Sequence, residues 1–346
     1  MNISRSFRYL SVIICLLYLF CAGCANFSSV TENTTAGSLT QDTSAGSVPS
    51  NESESSEIVI GATLASDTSY YLMSVSKYMY EAAEEENSEL ILKYADWDAE
   101  LQAQQIYQFI RDKVDAIILC PVNAKLLLNP LKKAREEGIP VINLNMKVDA
   151  ISSEYIDTYV GASSSEEAAL AAELFVQIME TRDNDGGKIA IIEGSPGSDP
   201  QIYRTQTFIE QLTPHPAIEI VGIRNGGWDR GKARLVAGDL IKKNPELKGI
   251  YCHDSNMAIG AIEAIEDLGL EDRIFVVGIG EDAEYLQAIS DGRLYGLITQ
   301  PPEYEGKYSI YCAIWAAKGE ELRPWYKDPI EVVTRDNISA YLKSLE

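Results

Sequence analysis

His215 and His253 are the only two histidines in 346 residues. Multi-histidine metal centres are thereby excluded, and imidazole-based catalysis has almost nothing to work with. Cysteine is nearly as rare. Of six in the chain, Cys15, Cys21 and Cys24 crowd the N-terminus, leaving Cys120, Cys252 and Cys312. Such a dispersed set is no disulfide framework, and buried free thiols are the expectation, with pairing among the three left open. Positive charge is also short: 29 Lys and Arg stand against 52 Asp and Glu, a net charge of −23. Nucleic-acid phosphates need clustered cations, so no nucleic-acid partner is expected. The chain has no P-loop, no Gly-x-Ser-x-Gly elbow and no His-Glu-x-x-His pair. No enzymatic activity, cofactor or metal is expected from what remains.

Only one long apolar run is present, at residues 9–20, and it is shorter than the ~20 residues a membrane-spanning helix needs. Arg5 and Arg8 precede it, and Cys21-Ala22-Gly23-Cys24 closes it. Basic, apolar and small-residue segments in that order make a secretory signal peptide, residues 1–23. Small residues before a cysteine resemble the bacterial lipoprotein signal, which implies lipidation at Cys24. The product would be extracytoplasmic and lipid-anchored to the cell membrane. Residues 25–57 contain nine Ser, five Thr and five acids but no Lys or Arg, so the stretch 24–56 reads as a flexible linker.

From residue 58 the hydrophobic pattern alternates between strand and helix. Short apolar runs at 58–64, 89–94, 116–119, 141–144 and 159–160 alternate with helical stripes at 70–86, 99–111 and 125–137. The pattern then restarts, with strands expected at 188–192, 219–224, 248–252, 274–278 and 294–299. Helices are expected between them, near 166–181, 202–212, 231–244, 255–268 and 283–290. Continuous apolar strands separated by helices imply an α/β fold of doubly wound parallel sheets, here in two lobes. Asp229 and Asp254 each precede an expected helix and read as N-caps. Gly278-Ile-Gly280-Glu-Asp-Ala283 formally matches a dinucleotide fingerprint, yet Glu281 and Asp282 would repel a phosphate at that helix start.

Several segments carry a resemblance. They are Gly61-Ala-Thr-Leu64 ahead of Tyr70-Tyr71, the run from Val114 to Asn123, and Gly138-Ile-Pro-Val-Ile-Asn-Leu-Asn145. Gly194-Ser-Pro-Gly197 followed by Arg204, the run from Cys252 to Gly260, Val276-Val-Gly278, and Asp291-Gly-Arg-Leu294 followed by Thr299-Gln300 complete them. In this order and spacing the chain resembles the bacterial periplasmic-type sugar-binding proteins of ABC transporters, of the ribose- and galactose-binding kind. The resemblance implies the type I binding-protein fold: two lobes joined by a three-strand hinge that close on a ligand. By position it implies one lobe of residues 57–161 plus 302–322 and another of 162–301 plus 323–346.

The resemblance also implies a site. Asn145, Arg204, His253 and Gln300 would hydrogen-bond a simple sugar or related polyol. Tyr70, Tyr71 and Trp228 would stack on it, with Asp67 as a further acceptor. Three positions depart from the family pattern: Met146 where a basic residue is common, His253 where Asn is usual, and Gly280 where an aspartate normally stands. The partners implied are a small-molecule sugar and an ABC transporter permease, the protein acting as a monomer. The alternative is a sensor that signals to a membrane receptor or histidine kinase. The export reading makes a direct prediction. A fatty-acid probe fed to expressing cells should label the wild-type protein and leave Cys24→Ser unlabelled; equal labelling would refute the lipid anchor.

Overall fold

The structure is a computed structural model that describes residues 57–182 and 186–345. The export segment, Cys24 and the linker to residue 56 lie outside the described residues. The first half runs β1 (Val59–Leu64), α1 (Tyr70–Glu85), β2 (Glu89–Tyr94), α2 (Ala99–Asp112), β3 (Ala116–Leu119), α3 (Leu128–Glu136), β4 (Val141–Leu144) and β5 (Thr158–Gly161). The second runs α4 (Ser164–Arg182), β6 (Gly187–Glu193), α5 (Asp199–Leu212), β7 (Ile218–Asn225), α6 (Arg230–Lys243), β8 (Leu247–Cys252), α7 (Ser255–Asp267), β9 (Phe275–Ile279), α8 (Ala283–Ser290) and β10 (Gly296–Ile298). Then α9 (Pro302–Ala317), β11 (Trp325–Lys327), β12 (Val332–Thr334) and α10 (Ile338–Ser344) complete the chain.

Two six-stranded sheets result, ordered β2-β1-β3-β4-β5-β11 and β7-β6-β8-β9-β10-β12. Neighbours pair in parallel, except that β12 runs antiparallel to β10. The same order occurs twice, so each lobe has its topological switch point beside its first strand, where α/β sheets place ligands. The doubly wound two-lobe fold is thus observed.

Each sheet is covered on both faces, which is why its strands carry apolar runs instead of alternating residues. Ala116 and Ile118 face a cluster with Leu72, Val75 and Met79 of α1 and Ile310 of α9. Ile117 and Leu119, one residue along, face Ile106 and Phe109 of α2 and Leu131 of α3. The second lobe repeats this, with α6, α7 and α8 on one face and α4 and α5 on the other. Each fully buried Ile or Leu contributes about 1.5–3 kcal/mol. Cys120, Cys252 and Cys312 are free and buried in these cores.

Two expectations need correction. The helix expected at 125–137 begins only at Leu128. Pro130 has no N–H to continue an earlier turn, so it sits in the first turn, and the Asn123 side chain accepts from Lys125 N in a local turn beforehand. Residues 323–327 belong with the first sheet, not with the second lobe. Trp325–Lys327 pairs with Tyr159–Gly161, and the Trp325 indole donates to Gly161 O at 2.8 Å. The third passage between lobes therefore lies at residues 328–331, where Thr299 N donates to Glu331 O at 2.8 Å beside the second passage.

Gly260 lets α7 lie against α6. A Cβ there would run into the Arg230 carbonyl and lie 3.1 Å from Arg234 N, contacts with backbone that cannot swing aside. Gly260→Ala should therefore destabilise the protein by about 1–3 kcal/mol despite alanine's better helix propensity, read as a lower urea midpoint. An unchanged or higher midpoint would show that the two helices can separate cheaply.

Candidate functional site

The carboxyl ends of both sheets face each other across one cleft, and local backbone chemistry aims the side chains into it. Ser69 caps α1 by accepting from Leu72 N. Consecutive helical residues point about 100° apart, so of Tyr70 and Tyr71 only one can turn inward. Tyr71 lines the cavity. Tyr70 is 46% exposed and packs edge-on against Tyr285 of α8, ring centres 6.4 Å apart. It is a clasp across the mouth, not a stacking face inside. At another point Ala124 N of the first lobe donates to Gly197 O of the second at 3.3 Å. The lobes are closed on each other.

Trp97 and Trp228 are the paired aromatic walls. Each follows the second strand of its lobe and precedes the Asp that caps the next helix: Asp98 caps α2, and Asp229 caps α6 by accepting from Lys232 N. Both take left-handed backbone conformations, φ 60° and 64°. Such strain in a non-glycine residue costs energy and persists where the surroundings over-determine it, as at a binding site. Gly194 is required beside Trp228, since any Cβ would collide with the indole. The Trp228 indole N–H is buried without a partner.

A line of polar contacts crosses the cleft floor. Arg204 of α5 is buried, with Nε and Nη2 on Glu167 Oε2 at 3.1 and 2.7 Å, Nη1 on the His253 carbonyl, and Nη2 also on Gln300 Oε1 at 3.2 Å. Gln300 Nε2 donates to Glu305 Oε1 at 3.2 Å, and Asn145 Nδ2 donates to both Glu305 oxygens at 3.1 and 2.9 Å. Asn145 holds its place through φ 60° and a carbonyl that accepts from Tyr159 Oη at 2.6 Å. Truncating Arg204 would strand Glu167 as an uncompensated buried charge.

Of the residues expected at the site, Tyr71, Asn145, Arg204, Trp228 and Gln300 line one cavity with an empty volume of about 450 Å³, space open to solvent included. Asp67 is exposed and outside the lining, in the loop ahead of the α1 cap. His253 is also outside it: the ring is fully buried, with Nε2 3.1 Å from Thr205 Oγ1, and burial and Arg204 push its pKa well down. Its backbone alone serves the site. Trp97, Glu167 and Asp254 line the cavity unforeseen. The Trp-Asp pair that ends each lobe's second strand was the readable signal for Trp97; nothing in the local sequence marked Glu167.

Carboxyls dominate the electrostatics. Burial raises Glu167, opposed by Arg204, and raises Asp254 to about 6, opposed by the Met257 N–H that it accepts as N-cap. Glu305 and Asp328, the latter in the third passage, face each other in the hinge, and burial raises both. Glu305 also raises Asp328, because like charges close together in a buried place disfavour double ionisation.

A family and a set of relatives match this architecture. The profile of the periplasmic binding protein domain matches residues 60–321. The chain belongs to this family. The ribose import binding protein RbsB of Bacillus subtilis (strain 168) is 23% identical over 287 residues, 83% of this chain and 90% of that one. An ABC transporter solute-binding protein from Bacillus halodurans C-125, solved with myo-inositol, is 28% identical with a TM-score of 0.78, over 84% of this chain and 98% of its own. A periplasmic solute-binding protein from Actinobacillus succinogenes 130z, solved with D-allose, is 26% identical with a TM-score of 0.76, over 82% and 100%. Each is named as a binding protein of transport, and the family name places such domains outside the cytoplasm.

The raised carboxyls set a pH dependence. A carboxyl whose pKa is higher folded than unfolded takes up protons on folding, so acidification between the two values stabilises the protein. For Asp254 that window runs from its ordinary 3.8 to about 6, and for the Glu305–Asp328 pair it extends higher. His253, whose pKa burial pushes well down, works the other way below its ordinary 6.5, so the carboxyl contribution is read as a difference: the change in melting temperature from pH 7.5 to pH 5 should be less favourable in Asp328→Asn than in the wild type. An identical pH response in the two would contradict the raised Asp328 carboxyl.

Proposed function

We propose that this protein is the extracytoplasmic binding component of an ABC importer, tethered by lipid on Cys24, and that it captures a simple sugar or related polyol between its lobes. One observation carries the reading: a cavity walled by tryptophans from both lobes, with a continuous polar line across its floor. A polyol presents C–H faces that suit aromatic platforms and hydroxyls that suit directional polar groups. Contact with both lobes favours the closed state by the difference in affinity between closed and open forms, which gives a transporter a shape to recognise. The linker of residues 24–56 lets the domain reach the permease while remaining attached. Relatives named for ribose import, and solved with myo-inositol and D-allose, support the ligand class.

A thermal-shift panel of monosaccharides and cyclitols, followed by calorimetry on any hit, tests the reading. Trp228→Ala should weaken binding of the hit by about 2–4 kcal/mol through loss of a rigid apolar wall. Saturating ligand should reduce the radius of gyration in X-ray scattering. Wild-type affinity in the variant would move the site elsewhere, and tight binding without compaction would refute lobe closure.

A further inference from the structure

The cavity wall leaves three side-chain groups without a partner: the Tyr71 hydroxyl, the Trp228 indole N–H and Glu167 Oε1. The donors of the polar line are committed, the Arg204 fork to Glu167, His253 O and Gln300, the Gln300 amide to Glu305, and the Asn145 amide to Glu305. The carboxylate is the charged member of the three. Glu167 is 0% exposed and lines the cavity, and while Oε2 takes both contacts from Arg204, Oε1 has no partner. Asp254, also in the lining, gives Oδ1 to the Met257 N–H. The charge of the wall leans to the negative. Arg204 is paired with Glu167, and Asp254 and the Glu305–Asp328 pair add carboxyls around it. Lys147 lies over the Tyr159 and Trp325 rings and lines a separate outer pocket together with Asp199, although its field also reaches Glu167. Met146 puts a thioether into the lining.

A neutral hydroxyl brings one donor and seeks donors in return; a protonated amine brings three N–H donors, seeks none and carries the missing charge. Trp97, Trp228 and Tyr71 supply the aromatic faces that attract a cation. Resting on the polyol reading above, we propose that the cleft selects a polyol bearing a protonated amine, an amino sugar or amino cyclitol, with the ammonium on Glu167 Oε1. The unpartnered Trp228 indole N–H then takes a hydroxyl oxygen of the same ligand. Burial raises the Glu167 and Asp254 carboxyls, and a bound cation would help to hold them ionised.

Matched pairs test it: D-glucosamine against D-glucose, D-galactosamine against D-galactose, and an amino-deoxy-inositol against myo-inositol, each titrated into the purified protein at pH 7.5. In at least one pair the amine should bind tenfold or more tightly than its hydroxyl partner. That preference should collapse towards parity in Glu167→Gln, and in the wild type it should shrink at pH 5 as the carboxylates take up protons. Equal or tighter binding of the hydroxyl partner in every pair that binds would overturn the amine proposal and leave the polyol reading standing. So would failure of all three amines alongside a neutral polyol hit. An amine preference that survives in a folded Glu167→Gln would overturn the assignment to that oxygen. Failure of every polyol, aminated or not, would remove both.

Discussion

The buried ion pair of Arg204 and Glu167 is the constraint around which the cleft is arranged. A guanidinium taken out of water must be matched by a carboxylate and hydrogen-bonded throughout, or it costs more than its packing returns. Glu167 of α4, the His253 carbonyl and Gln300 together meet that demand. Because Gln300 lies in the second passage between lobes and passes its amide on to Glu305 and so to Asn145, satisfying one charge ties the floor of one lobe to the other. A rearrangement of the hinge has to re-satisfy this chain, which favours discrete open and closed states over a continuum.

The hinge itself stores a second electrostatic tension. Asp328 arrives from the third passage and meets Glu305 at the start of α9, two acids with no cation between them. Burial of Glu305 is tolerated there because Asn145 and Gln300 donate to it. Together with Asp254 and Glu167 these groups gather buried carboxyls at the cleft and its hinge, each raised by burial.

The two tryptophan walls show how the duplicated architecture builds a two-sided site. Trp97 and Trp228 occupy equivalent places in the two lobes, each at the end of the second strand, each strained, each fixed by the helix cap that follows it. Closure then brings together surfaces that local chemistry has already shaped in each lobe, with Tyr70 on Tyr285 and Ala124 on Gly197 as the outer contacts.

Strands, helices, caps and the two-lobe parallel organisation were legible in the amino-acid order because their causes are local: apolar runs of strand length, helical stripes, and Asp229 and Asp254 at helix starts. Asn145, Arg204, Trp228, Gln300 and Tyr71, named as candidates by their resemblance in position to a known family, line one cavity. What only tertiary structure decided is which neighbour faces the cleft. Tyr71 and not Tyr70 turns inward because a helix rotates about 100° per residue. Asp254 reaches the cavity and the His253 ring does not, because successive residues leaving a strand point to opposite faces. Glu167 and Arg204, 37 residues apart in the chain, meet only when α4 packs on α5. Residues 325–327 join the first sheet because the edge of β5 offers unpaired backbone groups that β11 fills. Composition along the chain carries no record of an edge that exists only after folding.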